Sequence, residues 1–155
     1  MQYIRTTISQ TTPIQITGVP NVKTFVLGSS TTFAILNDGS VKSTGNNNNG
    51  QLGLNNKTNQ KTFQNVLTVS NITSIASYNE STYFVTGTGD FYVTGAYWYS
   101  STNGIATTSP VLKGSGANGD VRLISTSGNQ TYSLTNEGKV FAWGQTGTRA
   151  ELLVE

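Results

Sequence analysis

The side chains in this sequence that could do chemistry are few, and they recur at regular places. The 155 residues include no His and no Cys. That removes the commonest zinc sites and every Ser-His-Asp or Cys-His nucleophile system. Disulfides go with them, so cysteine usage says nothing about the redox compartment. What remains is a small set of carboxylates. Asp38, Asp90 and Glu137 each adjoin a glycine (Gly39, Gly89 and Gly138) in turn-like stretches, where acidic side chains favour the turn through local backbone hydrogen bonds. Glu80 and Asp120 fall in other turns. A glycosidase holds two carboxylates about 5 to 9.5 Å apart across a sugar, and the sequence gives no such pair a common rim. The glycine-rich pieces at 45–53 and 114–119 lack a Gly-Lys-Ser/Thr and a following helix signal, so they read as turns and not as phosphate cradles. The expectation is a chain without catalysis, cofactor or metal.

The elements that position these residues follow from one stretch, Thr31 to Leu54. Two strand-like runs, Thr31 to Leu36 and Ser40 to Thr44, are joined across Asn37-Asp38-Gly39, where Asp-Gly supplies the positive-φ residues of a tight hairpin. Gly45, a polar loop and Gly50-Gln51-Leu52-Gly53-Leu54 come next. That order recurs. Gly39 to Gly89, Gly45 to Gly95, Phe33 to Tyr83 and Val22 to Ile72 are each 50 positions apart, and the steps onward to Gly138, Gly144, Tyr132 and Val121 are each 49.

Each unit reads as a first strand (Val22 to Leu27, Ile72 to Ser77, Val121 to Thr126), a turn, a second strand, a glycine hairpin, a third strand and a closing glycine. A fourth strand is expected before each unit, around Ile14 to Thr17, Asn65 to Val69 and Val111 to Lys113. Alternation predicts a core of Phe25, Leu27, Phe33, Ile35, Val41, Ile72, Ile75, Tyr83, Val85, Val93, Leu123, Tyr132, Leu134, Val140 and Ala142. Four short antiparallel strands per unit of about 50 residues is the pattern of a propeller blade, whereas β-helical coils have a much shorter period. The expected fold class is all-β, with three four-stranded antiparallel propeller repeats at about 13–64, 65–110 and 111–155, and residues 1–12 as an arm or edge strand.

The order strand, Asp-Gly, strand, Gly-Asn, polar loop, Gly-Gln-Leu-Gly-Leu resembles the repeat of the regulator of chromosome condensation family, a β-propeller. The first unit is most similar: Asp38-Gly39, Gly45-Asn46 and Gly50 to Leu54 stand at the family's DG, WGxN and GQLGL, with Thr44 in place of the usual Trp. The third keeps Glu137-Gly138 and Trp143-Gly144. The second keeps Gly89 and Gly95, and puts Ala96-Tyr97-Trp98-Tyr99-Ser100 in the loop. The resemblance implies closed rings of about seven blades, and three units leave two raw edges, one at each end. An uncovered sheet is an association hazard, which predicts an incomplete ring closed or covered by self-association, the Met1 start favouring this over a truncated piece. The family's nucleotide exchange on a small GTPase and inhibition of β-lactamases are both executed by a propeller face, and neither carries over residue by residue.

Composition narrows the partners. Charged residues make up 10% of the chain against an average of roughly 25%. The formal charge of +2 is scattered and forms no Lys/Arg cluster that would track a phosphate backbone. Nucleic acid is therefore not an expected partner. No apolar run approaches the length of a membrane span, and MQYIRTTISQTTP carries no signal-peptide pattern. The hydroxyl- and amide-rich surface predicts a self-assembling module of a virion, phage-tail-like particle or cell surface, binding a protein receptor or surface glycan. The alternatives are a soluble regulatory or inhibitory protein-binding propeller and, behind it, a carbohydrate-active enzyme. The expected contacts are loops on one rim: Tyr97, Trp98 and Tyr99, with Asn46, Asn47, Asn48 and Asn49, and with Gln145 and Arg149. Aromatic rings with polar neighbours suit protein anchoring or stacking on a sugar. The competing reading of the three aromatics is that they fill a gap or pack a seam between subunits.

Overall fold

The computed structural model describes residues 11–97, 105–114, 120–127 and 130–144, with backbone alone at 97 and 105. Every regular element among them is a strand. The first sheet is β1 (Val22–Leu27), β2 (Thr31–Leu36), β3 (Val41–Gly45) and β4 (Gln60–Val66), in that spatial order. The second repeats it with β5 (Ile72–Tyr78), β6 (Ser81–Thr86), β7 (Phe91–Tyr97) and β8 (Ile105–Gly114). The third has three strands among the described residues: β9 (Val121–Ser127), β10 (Gln130–Thr135) and β11 (Val140–Gly144). All pairings are antiparallel. Across sheets, β5 meets β1 and β2 on one side and β9 on the other, so each sheet packs on the next through the next sheet's first strand, as stacked propeller blades do.

Register keeps the sequence spacing. Ile35 faces Val41, Val85 faces Phe91 and Leu134 faces Val140 at the hairpin ends. The hairpins close with Gly39, Gly89 and Gly138 at φ of 78°, 84° and 82°, a conformation glycine takes without penalty. Asp38 was expected to share that role and does not. It turns its carboxylate onto the amide and hydroxyl of Ser40, at 2.9 and 2.6 Å, so it stabilises the turn by hydrogen bonding instead.

The fourth strand follows its unit instead of preceding it. Asn65 and Val66 end β4 and pair with the first sheet, Val111 to Lys113 lie in β8 of the second, and residues 13–17 form no strand. The physical reason is the antiparallel return from β3, which brings the next extended segment back along the same sheet.

Two seams hold the apolar core. Between the first and second sheets lie Phe33, Ile35, Val41, Leu52, Ile72 and Phe84, with Phe33 and Phe84 edge to face at 5.9 Å. Between the second and third lie Tyr83, Val85, Phe91, Val93, Val121 and Ile124, against which Trp143 packs. Each fully buried ring or branched side chain contributes about 1.5 to 3 kcal/mol. Because the second sheet is covered on both sides, all of Thr82 to Thr86 is buried, and Phe84 is core although alternation did not select it. Conversely, the expected core residues Phe25, Leu27, Leu123, Tyr132 and Val140 are exposed. They lie on the outer faces of the end sheets.

Candidate functional site: an amide-lined cleft

The turns at one end of the sheets enclose a cleft of about 330 Å³. Its walls come from three places: Ser30 in the β1–β2 turn, Asn79 to Ser81 around the β5–β6 turn, and Asn46, Asn48, Asn49 and Gln51 in the loop after β3. Repeated backbone bonds bring these together. Asn46 N donates to Ser30 O at 2.9 Å, and the equivalent Ala96 N donates to Glu80 O at 2.8 Å. Ser29 joins the two turns: its hydroxyl donates to Asn79 Oδ1 at 3.0 Å and accepts from Asn79 N at 3.2 Å. The cleft floor reaches Tyr83 and Thr131, where Thr131 Oγ1 donates to the Tyr83 hydroxyl at 3.2 Å.

The loop 46–54 explains itself from its own side chains. Asn47 is fully buried: its Oδ1 accepts from Leu52 N at 2.9 Å and its Nδ2 donates to Asn56 O at 2.9 Å. Asn46 Oδ1 accepts from Asn48 N and from Gln51 Nε2, at 2.9 and 3.2 Å. Leu52 is thereby driven into the first seam. The loop also crosses to the second sheet, where Thr94 Oγ1 donates to Gly50 O at 2.9 Å and Asn55 N to Thr108 O at 2.8 Å.

Of the residues expected on the rim, Asn46, Asn48 and Asn49 line this cleft, and Asn48 is exposed. Asn47 is corrected to a scaffold residue, because its amide closes the loop from inside. Tyr97 contributes backbone to β7 opposite Ile105; Trp98, Tyr99, Gln145 and Arg149 lie outside the described residues. Sequence reasoning passed over Ser30, Gln51, Asn79, Glu80 and Ser81. The available signal was the 50-residue offset, which aligns Ser29-Ser30 with Asn79-Glu80.

The cleft offers hydrogen-bond donors and acceptors with one carboxylate, Glu80, and no cation among its lining residues. The hairpin acids stand at the opposite end. Asp38 is held below the usual carboxylate range by the Ser40 hydroxyl and then its amide. Glu137 is held below it by hydrogen bond and charge from Lys139, 2.7 Å away, and Asp90 accepts from Thr88 Oγ1 at 3.1 Å. Each serves its own turn. No group of three His, Cys, Asp or Glu that could hold a metal occurs among the described residues.

Residues 22–51 match the family model of the regulator of chromosome condensation (RCC1) repeat. That match lies within the first blade and the loop that follows its third strand. Human WBSCR16 superimposes with a TM-score of 0.71 at 23% identity, over 83% of this chain and 35% of that one. Yeast RCC1 (Prp20), in its crystal structure bound to Kap60, gives 0.66 at 19% identity, over 82% and 33%. Prp20p from Saccharomyces cerevisiae, described with its binding properties to Gsp1p and histones, gives 0.66 at 19% over 82% and 34%. The chain spans about a third of the length of these structures. No curated protein matches its sequence significantly.

Proposed function

We propose that this chain is a non-catalytic, protein-binding propeller module that grips its partner with the cleft end of the blades. One observation carries the reading: eight polar lining residues from two sheets, Ser30 through Ser81, converge on one concavity dominated by side-chain amides and hydroxyls. Such groups recognise a polypeptide surface by direct and water-bridged hydrogen bonds. They do not form a nucleophile with its base. The RCC1-type structures it resembles bind proteins at least in the case of Prp20, with Kap60, Gsp1p and histones, which supports a regulatory or inhibitory binding role. Neither the fold nor these structures favours a virion or tail-particle role over that one.

The test is affinity capture by the immobilised full chain, followed by substitution. Asn48→Ala and Glu80→Ala alter exposed cleft residues, and together they are expected to abolish capture without moving the unfolding midpoint. A companion variant, Tyr97→Ala, Trp98→Ala, Tyr99→Ala, tests the aromatic loop. Undiminished capture by both variants overturns the reading. So does binding on a glycan array in the absence of any protein partner.

A further inference from the structure

We propose that a second copy of this chain docks its first sheet on the exposed face of the third, head to tail, so that copies continue the blade stack. This goes beyond the cleft reading and stands independently of it.

The third sheet carries an unfilled half of a seam that the molecule fills twice internally. Its register places Leu134 between Leu123 and Val140, and Tyr132 between Ser125 and Ala142, on one face. Tyr132 is 42% exposed, whereas the equivalent Phe33 and Tyr83 are 0% and 2% exposed. Val140 is 66% exposed against 1% for Val41 and 6% for Phe91. The same positions bury themselves wherever a following sheet is present.

The first sheet carries the other half. Phe25 stands where Ile75 and Ile124 stand, and is 49% exposed where they are 6% and 3%; Leu27 beside it is 74% exposed. Lys42 shares this face with Phe25 through Ala34; its ammonium donates to Asn65 Oδ1 at 2.6 Å, and its long stem lets the charge stay at the rim of a sheet-on-sheet contact.

A backbone clasp marks the same vacancy. Gly39 O accepts from Ile72 N at 2.9 Å, and Gly89 O accepts from Val121 N at 3.1 Å. A Cβ at Gly39 or Gly89 would press on Asn71 Cα or Asp120 Cα, at 2.9 and 2.6 Å, while one at Gly138 meets nothing within 4 Å. The next first strand, beginning at a residue equivalent to Val22, is what that hairpin lacks.

Because the two halves differ, the contact is heterologous. It closes into a ring if the rotation per copy allows and otherwise grows as a filament. The occupant is a second copy because both complementary halves, apolar and of matching register, sit exposed on one molecule.

Multi-angle light scattering on the full chain at micromolar concentration tests this. The wild type is expected at a multiple of 16.5 kDa, and Val140→Glu alone or Phe25→Glu alone is expected to reduce it to monomer. Both sites are exposed, and far-UV dichroism confirms folding. An equimolar mixture of the two variants leaves one intact pair of faces and is expected to give a dimer and nothing larger. Three results each overturn the proposal: a monomeric wild type, assemblies that survive both substitutions, or a mixture that stays monomeric.

Discussion

The carbonyl of Gly39 accepts a 2.9 Å hydrogen bond from the amide of Ile72, fastening the hairpin of one blade to the first strand of the next. Gly89 and Val121 repeat it. The same glycines therefore close a turn and leave room for a neighbouring backbone, and those two demands can be separated. All three hairpin glycines have positive φ, but only Gly39 and Gly89 are pressed by the following blade. In a Val140→Glu background, Gly138→Ala is expected to cost about 1 to 2 kcal/mol, the penalty of an L-residue in that conformation. Gly89→Ala should cost about 1 to 3 kcal/mol more, because the added methyl overlaps Asp120. Urea titration of both variants measures the difference. Equal costs would mean that the seam relaxes around the methyl.

The repeat was legible in the sequence because the glycines and the apolar residue before each hairpin keep their spacing, and the register of Val85 with Phe91 follows from it. What was not legible is which strand face meets another sheet. Period-two alternation assumes one wet face, so it overlooked Phe84, which is buried from the second side. It also counted Val140 and Tyr132 as core, since their residue types match positions that are core in the other blades. The cleft was half legible: Asn46, Asn48 and Asn49 looked polar and exposed, but nothing in a run of four asparagines distinguishes Asn47, whose amide points inward to Leu52 and Asn56.

That distinction gives a prediction. Asn47→Ala leaves the buried amide of Leu52 without its acceptor, so it is expected to lower stability by about 1 to 3 kcal/mol. Asn48→Ala, at an exposed position, should stay within about 0.5 kcal/mol of wild type. Thermal and urea unfolding of the two variants check it, and a neutral Asn47→Ala would return that residue to the list of rim contacts.

Stability should be insensitive to pH near neutrality, because the chain has no His. Asp38 and Glu137 have folded pKa values depressed by Ser40 and by Lys139. Their stabilisation is therefore present above the unfolded carboxylate values of about 3.9 and 4.3 and is lost as pH falls through the lower folded values. Lys139 has the opposite sign: its raised pKa keeps its contribution below the unfolded value of about 10.4 and loses it as pH rises beyond. The urea midpoint is expected to fall on the acid side below about pH 4. Ser40→Ala should shrink that fall in any salt, whereas the share from Glu137 and Lys139, both largely exposed, should diminish as salt is added. An acid limb unchanged by Ser40→Ala would remove Asp38 from the account.

Trp143 offers a view of the terminal blade by itself. It stacks on Phe91 at 5.6 Å and meets Tyr83 edge to face at 6.0 Å, so its emission depends on the third sheet staying docked on the second. Trp98→Phe leaves it the sole tryptophan of two. In stacked repeats each unit is stabilised mainly by its neighbours, and the third sheet has one neighbour where the second has two. In the Val140→Glu background, the red shift of Trp143 is expected at a lower urea concentration than the loss of far-UV dichroism. Exposing the face of the third sheet to a second copy in the Trp98→Phe chain without that substitution should draw the two transitions together, since the copy restores the missing neighbour. Coincident transitions in both backgrounds would mean instead that the three sheets unfold as one unit, with the seam at Phe91 as strong as the strands it joins.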